Sequence, residues 1–421
     1  MMHSYQRLSR SGRALVGLGL GLCAIGLFSW IMQLTNGLEV THMQNAFSWG
    51  LYIAAFAFFV GVAAGGMIIS SSIYVFNVEK LKPFSRIASL SAFGCILAAG
   101  VMVLLDLGSI QNIFFLFLTP NLMSPLLWDV CVVTAYLIIT FLSVYMQMLP
   151  EWQKDGFFLA AWTKKRPAEE VQAFSKKWSR RVALVGLPFA VLIHTVTALI
   201  FATQVSHHWW NTAVLPPDFV AMAVASGSAL VLIICMFTVG KRGFAEHADA
   251  FNIMAKVVAG ALVVHFFFTL IELLLNAWNG STQGQELVHI LFNEYAALYL
   301  AELIFPAIAM IMFFMRRFSY NRPALLIGSI LVIVGAFAHR MMLLYPAFNE
   351  PALSLNVAGA SIKPWVVPLS TGRPDLAGAF FSTSFAYVPS LLEWGVTMLP
   401  FGIALTVIAG TITFFKLISE K

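Results

Sequence analysis

Apolar residues in this chain run in long stretches, and the polar residues gather between them. Ten runs of about 20 apolar residues lie near 14–34, 47–76, 86–107, 125–148, 181–204, 217–240, 251–278, 291–315, 323–346 and 387–415. About 20 helical residues cross the hydrocarbon core of a bilayer. Every backbone amide in lipid must be bonded internally, which selects helix for each run. The pattern predicts an all-α integral membrane protein with ten transmembrane helices. The first run follows a polar, basic segment, so a signal peptide competes with a helix there. No small-residue cleavage site follows it, and the run is long enough to span, so it reads as a retained helix.

Composition agrees with the pattern. The chain has 421 residues, 60% of them hydrophobic and only 10% charged, with a mean hydropathy of +0.84. A soluble domain carries about 25% charged residues, so lipid is the expected solvent here, and nothing in the composition points to nucleic acid. Cys23, Cys95, Cys131 and Cys235 each lie inside an apolar run and form no CxxC pair. That speaks against iron–sulfur ligation or a zinc knuckle and for buried, inert thiols.

Charge fixes an expected orientation. Arg7, Arg10, Arg13, Lys80, Lys82, Arg86, the cluster from Lys154 to Arg181, Lys241, Arg242, Arg316, Arg317, Arg322, Lys416 and Lys421 all fall on one side of a ten-span topology. The other side has Lys363 and Arg373. The positive-inside rule then places both termini on the cytoplasmic side of the membrane. The longest outer loop, about 347–386, contains Pro351, Pro364 and Trp365 and is either a docking surface for an extracytoplasmic partner or a solvated cap.

Ionisable residues inside a membrane are costly and are functional candidates by default. Asp106 ends the third span and Asp129 opens the fourth. Glu272, Glu302, His339 and Arg340 lie in the outer halves of the seventh, eighth and ninth, and Glu393 opens the tenth. His194 is about midway along the fifth. No acid falls clearly in an inner half. This one-sidedness predicts a protonatable site that exchanges protons with the outer face, with Arg340 paired to Glu272 or Glu302. The competing reading is a set of ion pairs that glue helices together.

An internal repeat organises the spans. Small residues recur in the second (Gly61 to Gly66) and sixth (Ala223 to Gly227). An acid recurs in the third (Asp106) and seventh (Glu272), and a histidine in the fifth (His194) and ninth (His339). Spans 2–5 and 6–9 therefore read as two four-helix bundles in the same orientation, with one extra helix at each end. The divisions are 1–40, a basic N-terminus and first helix; 41–210, the first bundle; 211–346, the second; and 347–421, the long loop and last helix.

The segment from Trp49 to Gly66, the run Ser124 to Asp129, His194 to Thr197 and Trp210 to Thr212 resemble the NrfD-like, polysulfide-reductase-type membrane subunits. The resemblance covers roughly 40–415. It implies a subunit of a respiratory oxidoreductase complex that binds quinone or quinol, with menaquinone expected, and holds no haem or iron–sulfur cluster of its own. Electrons would pass to or from a ferredoxin-like iron–sulfur subunit on the outer face, with catalytic or cytochrome subunits beyond. It also implies a quinone pocket in the first bundle at Asn45, Trp49 and His194, a departure from relatives that have His and Tyr there. Asp106, Asp129 and His194 would take the quinol protons. Glu272, Glu302, His339 and Arg340 would form a proton path through the second bundle.

Three alternatives remain at this stage. A haem-b anchor would need two of His194, His265 and His339 on facing helices at like depth. A transporter or ion-translocating module would suit the repeat, although it is parallel and shows no broken-helix ion site. A passive anchor would leave the outer acids unexplained.

Overall fold

The structure, a computed structural model, describes residues 10–45, 47–278, 282–349, 354–355, 365–366, 368–372, 375, 378–382, 387–415 and 417. Arg7, Pro351, Lys363, Pro364, Arg373, Lys416 and Lys421 lie outside them. Ten helices among the described residues are long and apolar enough to cross a membrane. They are α1 (Arg10–Asn36), α2 (Leu51–Val75), α3 (Ser85–Asp106), α4 (Pro125–Asp155), α5 (Ala168–Ala202), α6 (Leu215–Glu246), α7 (Ala248–Trp278), α8 (Ala296–Phe314), α9 (Arg322–Asn349) and α10 (Leu391–Phe414). The expected ten-helix, all-α membrane protein is thus observed.

Two helices outrun their apolar segments. α4 continues to Asp155, where Gly156 caps it at φ 69°. α5 begins at Ala168 with Glu169 and Glu170 in its first turn, where acids favour the positive end of the helix dipole. α6 breaks at Gly240, whose φ of 68° leaves helical space. Lys256 on α7 reaches the Phe313 and Phe314 carbonyls at the end of α8, at 3.0 and 2.7 Å. Lys80 pairs with Asp249 at 3.0 Å and Arg86 with Glu151 at 3.7 Å, so these contacts mark one basic end of the molecule.

Small residues set the helix contacts. α2 packs on α3 and α5, and α4 packs on the same two; α6 packs on α7 and α9, and α8 on those two. α1 lies along α10, and α10 leans on α3. α2 is buried along most of its length, and it crosses α6 where Gly65 meets Gly227. A Cβ on either glycine would collide with the other helix's backbone, so van der Waals contact between bare backbones holds this crossing. Outward faces carry Leu18, Phe28, Ile138, Phe267, Leu270 and Ile311, all exposed, as lipid as solvent demands. Cys95 and Cys235 are buried as expected, whereas Cys131 is exposed on α4.

Glu393 ties the end opposite the basic one together. Ser390 and Glu393 form a capping box at the start of α10. The Glu393 carboxylate also accepts from the His42 amide at 3.0 Å and from the Tyr387 hydroxyl, which in turn accepts from the Leu51 amide at 3.0 Å. One carboxylate therefore fastens the α1–α2 connection, the start of α2 and α10. Glu393→Ala would leave three donors unsatisfied and should cost about 3 kcal/mol. This is read as a lower thermal unfolding midpoint of the detergent-solubilised protein, with Glu393→Gln retaining part of the loss.

Candidate functional site

The polar residues gather at this base-poor end. Pro346 in α9 has no N–H to give the Met342 carbonyl, and Trp209 supplies one instead, its indole nitrogen 2.9 Å away. Trp210 bonds Leu343 at 2.5 Å, and His207 Nδ1 bonds Ala347 at 2.9 Å. Burial lowers the pKa of His207, which favours the neutral ring that donates from Nδ1. The 203–214 connection is thereby clipped to α9. Trp49 stacks on Trp210 with centroids 6.0 Å apart and meets Phe201 edge-on at 5.9 Å. Asn45 is exposed on the connection into α2, and Gly372 of the long loop lies against its side chain.

α5 presents a buried series below this rim. Phe201, Thr197 and His194 follow at helical spacings of four and three residues, so they share one face. All three are buried. Thr197 Oγ1 is 2.5 Å from Asp129 Oδ1 on α4 and 2.8 Å from the Ile193 carbonyl. A hydroxyl has one proton and two acceptor sites. It can donate to an ionised Asp129, or accept from a protonated one while donating to Ile193. This pair keeps its hydrogen bond in either protonation state, which suits a group that exchanges protons.

His194 lies about two turns below Phe201 and faces α2 and α9. Its Nε2 has no hydrogen-bond partner among the described residues, and its Nδ1 lies toward the Ala190 carbonyl without completing a bond. Arg340 faces it from α9. The expected pairing of Arg340 with Glu272 or Glu302 is not observed: its guanidinium sits 3.7 Å above the Phe219 ring instead. Phe219 follows Asp218, so α6 offers the π face beside the carboxylate.

A second polar group joins α6, α7, α8 and α9. His265 Nδ1 is 2.6 Å from Asp218 Oδ1, His339 Nε2 is 3.3 Å from Asp218 Oδ2, and His339 Nδ1 is 2.7 Å from Glu302 Oε1. Both nitrogens of His339 thus face carboxylates, and two acids and two imidazoles meet within one buried cluster. Glu272, Tyr299, Asp218, Glu302 and His339 line a cavity of about 20 Å³ beside it, room for about one water. Asp218, His265 and His339 offer ligand atoms all within 4.8 Å of one another. One nitrogen of each ring is already committed to a carboxylate.

The structure therefore brings Glu272, Glu302 and His339 together and sets Arg340 between them and His194. Asn45 and Trp49 lie at the rim, and Asp106 ends α3. Sequence reasoning missed Asp218 and did not join His265 to the cluster. Asp218 sits directly behind Pro216 and Pro217, which read as loop. The available signal was that His265 and Glu272 are seven residues apart, on one face of α7. A separate groove of about 770 Å³ between α5, α6 and α7 is lined mostly by apolar residues, among them Val191, Val220 and Val264, and by none of the predicted site residues.

The family model described as "Polysulphide reductase, NrfD" matches residues 39–352. The chain belongs to the NrfD family. Among relatives, this NrfD protein is 28% identical to a candidate dimethyl sulfoxide reductase membrane subunit of Halobacterium salinarum, over 95% of this chain and 90% of that one. It is 21% identical to a selenate reductase subunit of Mesobacillus selenatarsenatis, over 95% and 93%. It is 27% identical to the Hdr-like menaquinol oxidoreductase integral membrane subunit of Archaeoglobus fulgidus, over 62% of this chain and 59% of that one. The resemblance read from the residues is thereby established at the level of family.

Proposed function

We propose that this NrfD protein is the quinol-interacting membrane subunit of a respiratory oxidoreductase complex, with menaquinol its expected reductant. The relatives' names, which include reductase membrane subunits and a menaquinol oxidoreductase subunit, support the class. The observation that carries the site is the face of α5, on which Phe201, Thr197 with Asp129, and His194 descend from the aromatic rim. Its buried His194 Nε2, unpartnered among the described residues, fits a proton acceptor. In this reading α2–α5 and α6–α9 are two four-helix bundles in parallel repeat, the basic end is cytoplasmic and the rim is extracytoplasmic. An iron–sulfur subunit, with further catalytic or cytochrome subunits, docks over the rim.

A bound quinol supplies two electrons and two protons on oxidation. Asn45 and Trp49 would hold its head group at the rim, and Asp129 through Thr197, Asp106 and His194 accept the protons. A positioned acceptor of this kind typically contributes about 10²–10⁴-fold. The second group, Asp218 with His265, His339, Glu302 and Glu272, conducts protons across the outer half of the bilayer. His265 and His339 do not suit the haem-b alternative as its ligand pair, because their rings lie 5.0 Å apart and both face Asp218. Such rings leave no place for a macrocycle between them.

The test is menaquinol-dependent reduction of the partner subunits in the assembled complex. Asp129→Asn keeps the bond to Thr197 but cannot bind a further proton, so turnover should fall about 100-fold. Asp106→Asn tests the second acceptor in the same assay. Wild-type turnover in both variants would remove these acids from the reaction.

A further inference from the structure

Gly61 on α2 has no packing reason to be glycine. Gly65 and Gly66 on the same helix are needed, because a Cβ there would strike α6 or α3. At Gly61 a Cβ would meet only two groups from elsewhere in the fold, Arg340 Nη2 at 3.7 Å and His194 Nε2 at 3.9 Å. The missing side chain therefore leaves a methyl-sized cleft, and what faces it is a buried imidazole nitrogen and a buried guanidinium nitrogen. His194 Nε2, which faces the cleft, has no hydrogen-bond partner among the described residues. Buried polar groups are nearly always bonded to protein or to ordered water.

We infer that the cleft at Gly61 is a one-water binding site that bridges His194 Nε2 and Arg340 Nη2 and couples the two polar groups of the protein. With His194 neutral, the water accepts from the guanidinium and donates to Nε2. With His194 protonated, the water turns and accepts from Nε2–H. No proton crosses Arg340, which stays charged. Its charge acts on His194 on one side and on Asp218 and Glu302 on the other. A proton arriving on His194 is then felt at the Asp218–His339–Glu302 group through one water and one guanidinium. Such coupling is reciprocal: what the second group binds also biases His194. This inference rests on the reading of His194 as a proton acceptor.

Gly61→Ala tests it in the assembled complex. The methyl group meets both nitrogens at ordinary contact distance, and alanine favours helix over glycine, so folding is not at risk. A map that resolves ordered water should show a peak bonded to both nitrogens in the wild type and none in the variant. In proteoliposomes the charge moved per electron should fall about tenfold in the variant, the order of a lost coupling between sites, a ratio read independently of the rate of menaquinol oxidation. Gly61→Ser, whose hydroxyl can replace the water, should restore most of it. A wild-type map without the peak overturns the site. A peak lost in the alanine variant with charge movement unchanged overturns the coupling. A wild-type complex that oxidises menaquinol without moving charge instead overturns proton conduction by the second group, while the map still decides the water site.

Discussion

His194→Ala should lower menaquinol oxidation by the assembled complex about 100-fold or more, the range for losing a positioned proton acceptor, while leaving the amount of complex nearly unchanged. Most buried histidines would not allow that separation. A typical one is held by partners on both nitrogens, and truncation leaves those partners stranded. Among the described residues His194 Nε2 has no protein partner, and its Nδ1 only leans toward a carbonyl of its own helix. The truncation therefore strands none of them on a neighbouring helix. His194→Gln, which keeps hydrogen-bonding capacity but cannot take a proton, should be nearly as slow. Rates within about twofold of wild type for both, well short of the loss expected of a proton acceptor, would show that protons leave by another route, with Asp129 and Thr197 first in line.

Glu272→Gln should abolish charge movement and leave menaquinol oxidation intact. Glu272 lines the cavity beside Asp218, Glu302 and His339, but among the described residues it accepts no side-chain hydrogen bond that the fold depends on. Glutamine has the same shape, so the helices need not move, yet the cavity loses a group that can be protonated. Asp218→Asn is the instructive contrast. It faces two imidazoles at once, and removing a buried charge from such a set leaves the remaining charges uncompensated. That variant should lose stability as well as charge movement. Parallel loss of oxidation and charge movement in Glu272→Gln, with normal assembly, would mean that both processes use one acid.

The helices were legible because lipid enforces one rule, an apolar run long enough to span. All ten runs became helices. Their ends were less legible where the chain leaves lipid: α4 continues to Asp155, where Gly156 caps it, and α5 starts at Ala168 with two acids in its first turn. Individual acids were legible because a carboxyl among apolar residues is costly. Their partners were not. Arg340 with Glu272 or Glu302 is a sensible pairing by depth, but depth says nothing about which way a side chain turns, and Phe219 took the guanidinium. Glu393 read like the other outer acids, yet its bonds to His42, Tyr387 and Ser390 make it a fastening. The pattern of serine three residues before it was the available clue.

The meeting of Gly65 with Gly227 bears on how such a protein can change over generations. α2 and α6 are the first helices of the two halves that the sequence predicts. If the halves descend from one duplicated ancestor, each copy has since been its sister's neighbour. A larger residue in either copy strikes main chain, which no substitution in the other copy can trim away. The halves can diverge freely at the rim, in their acids and in their loops, but at this crossing neither copy can drift alone.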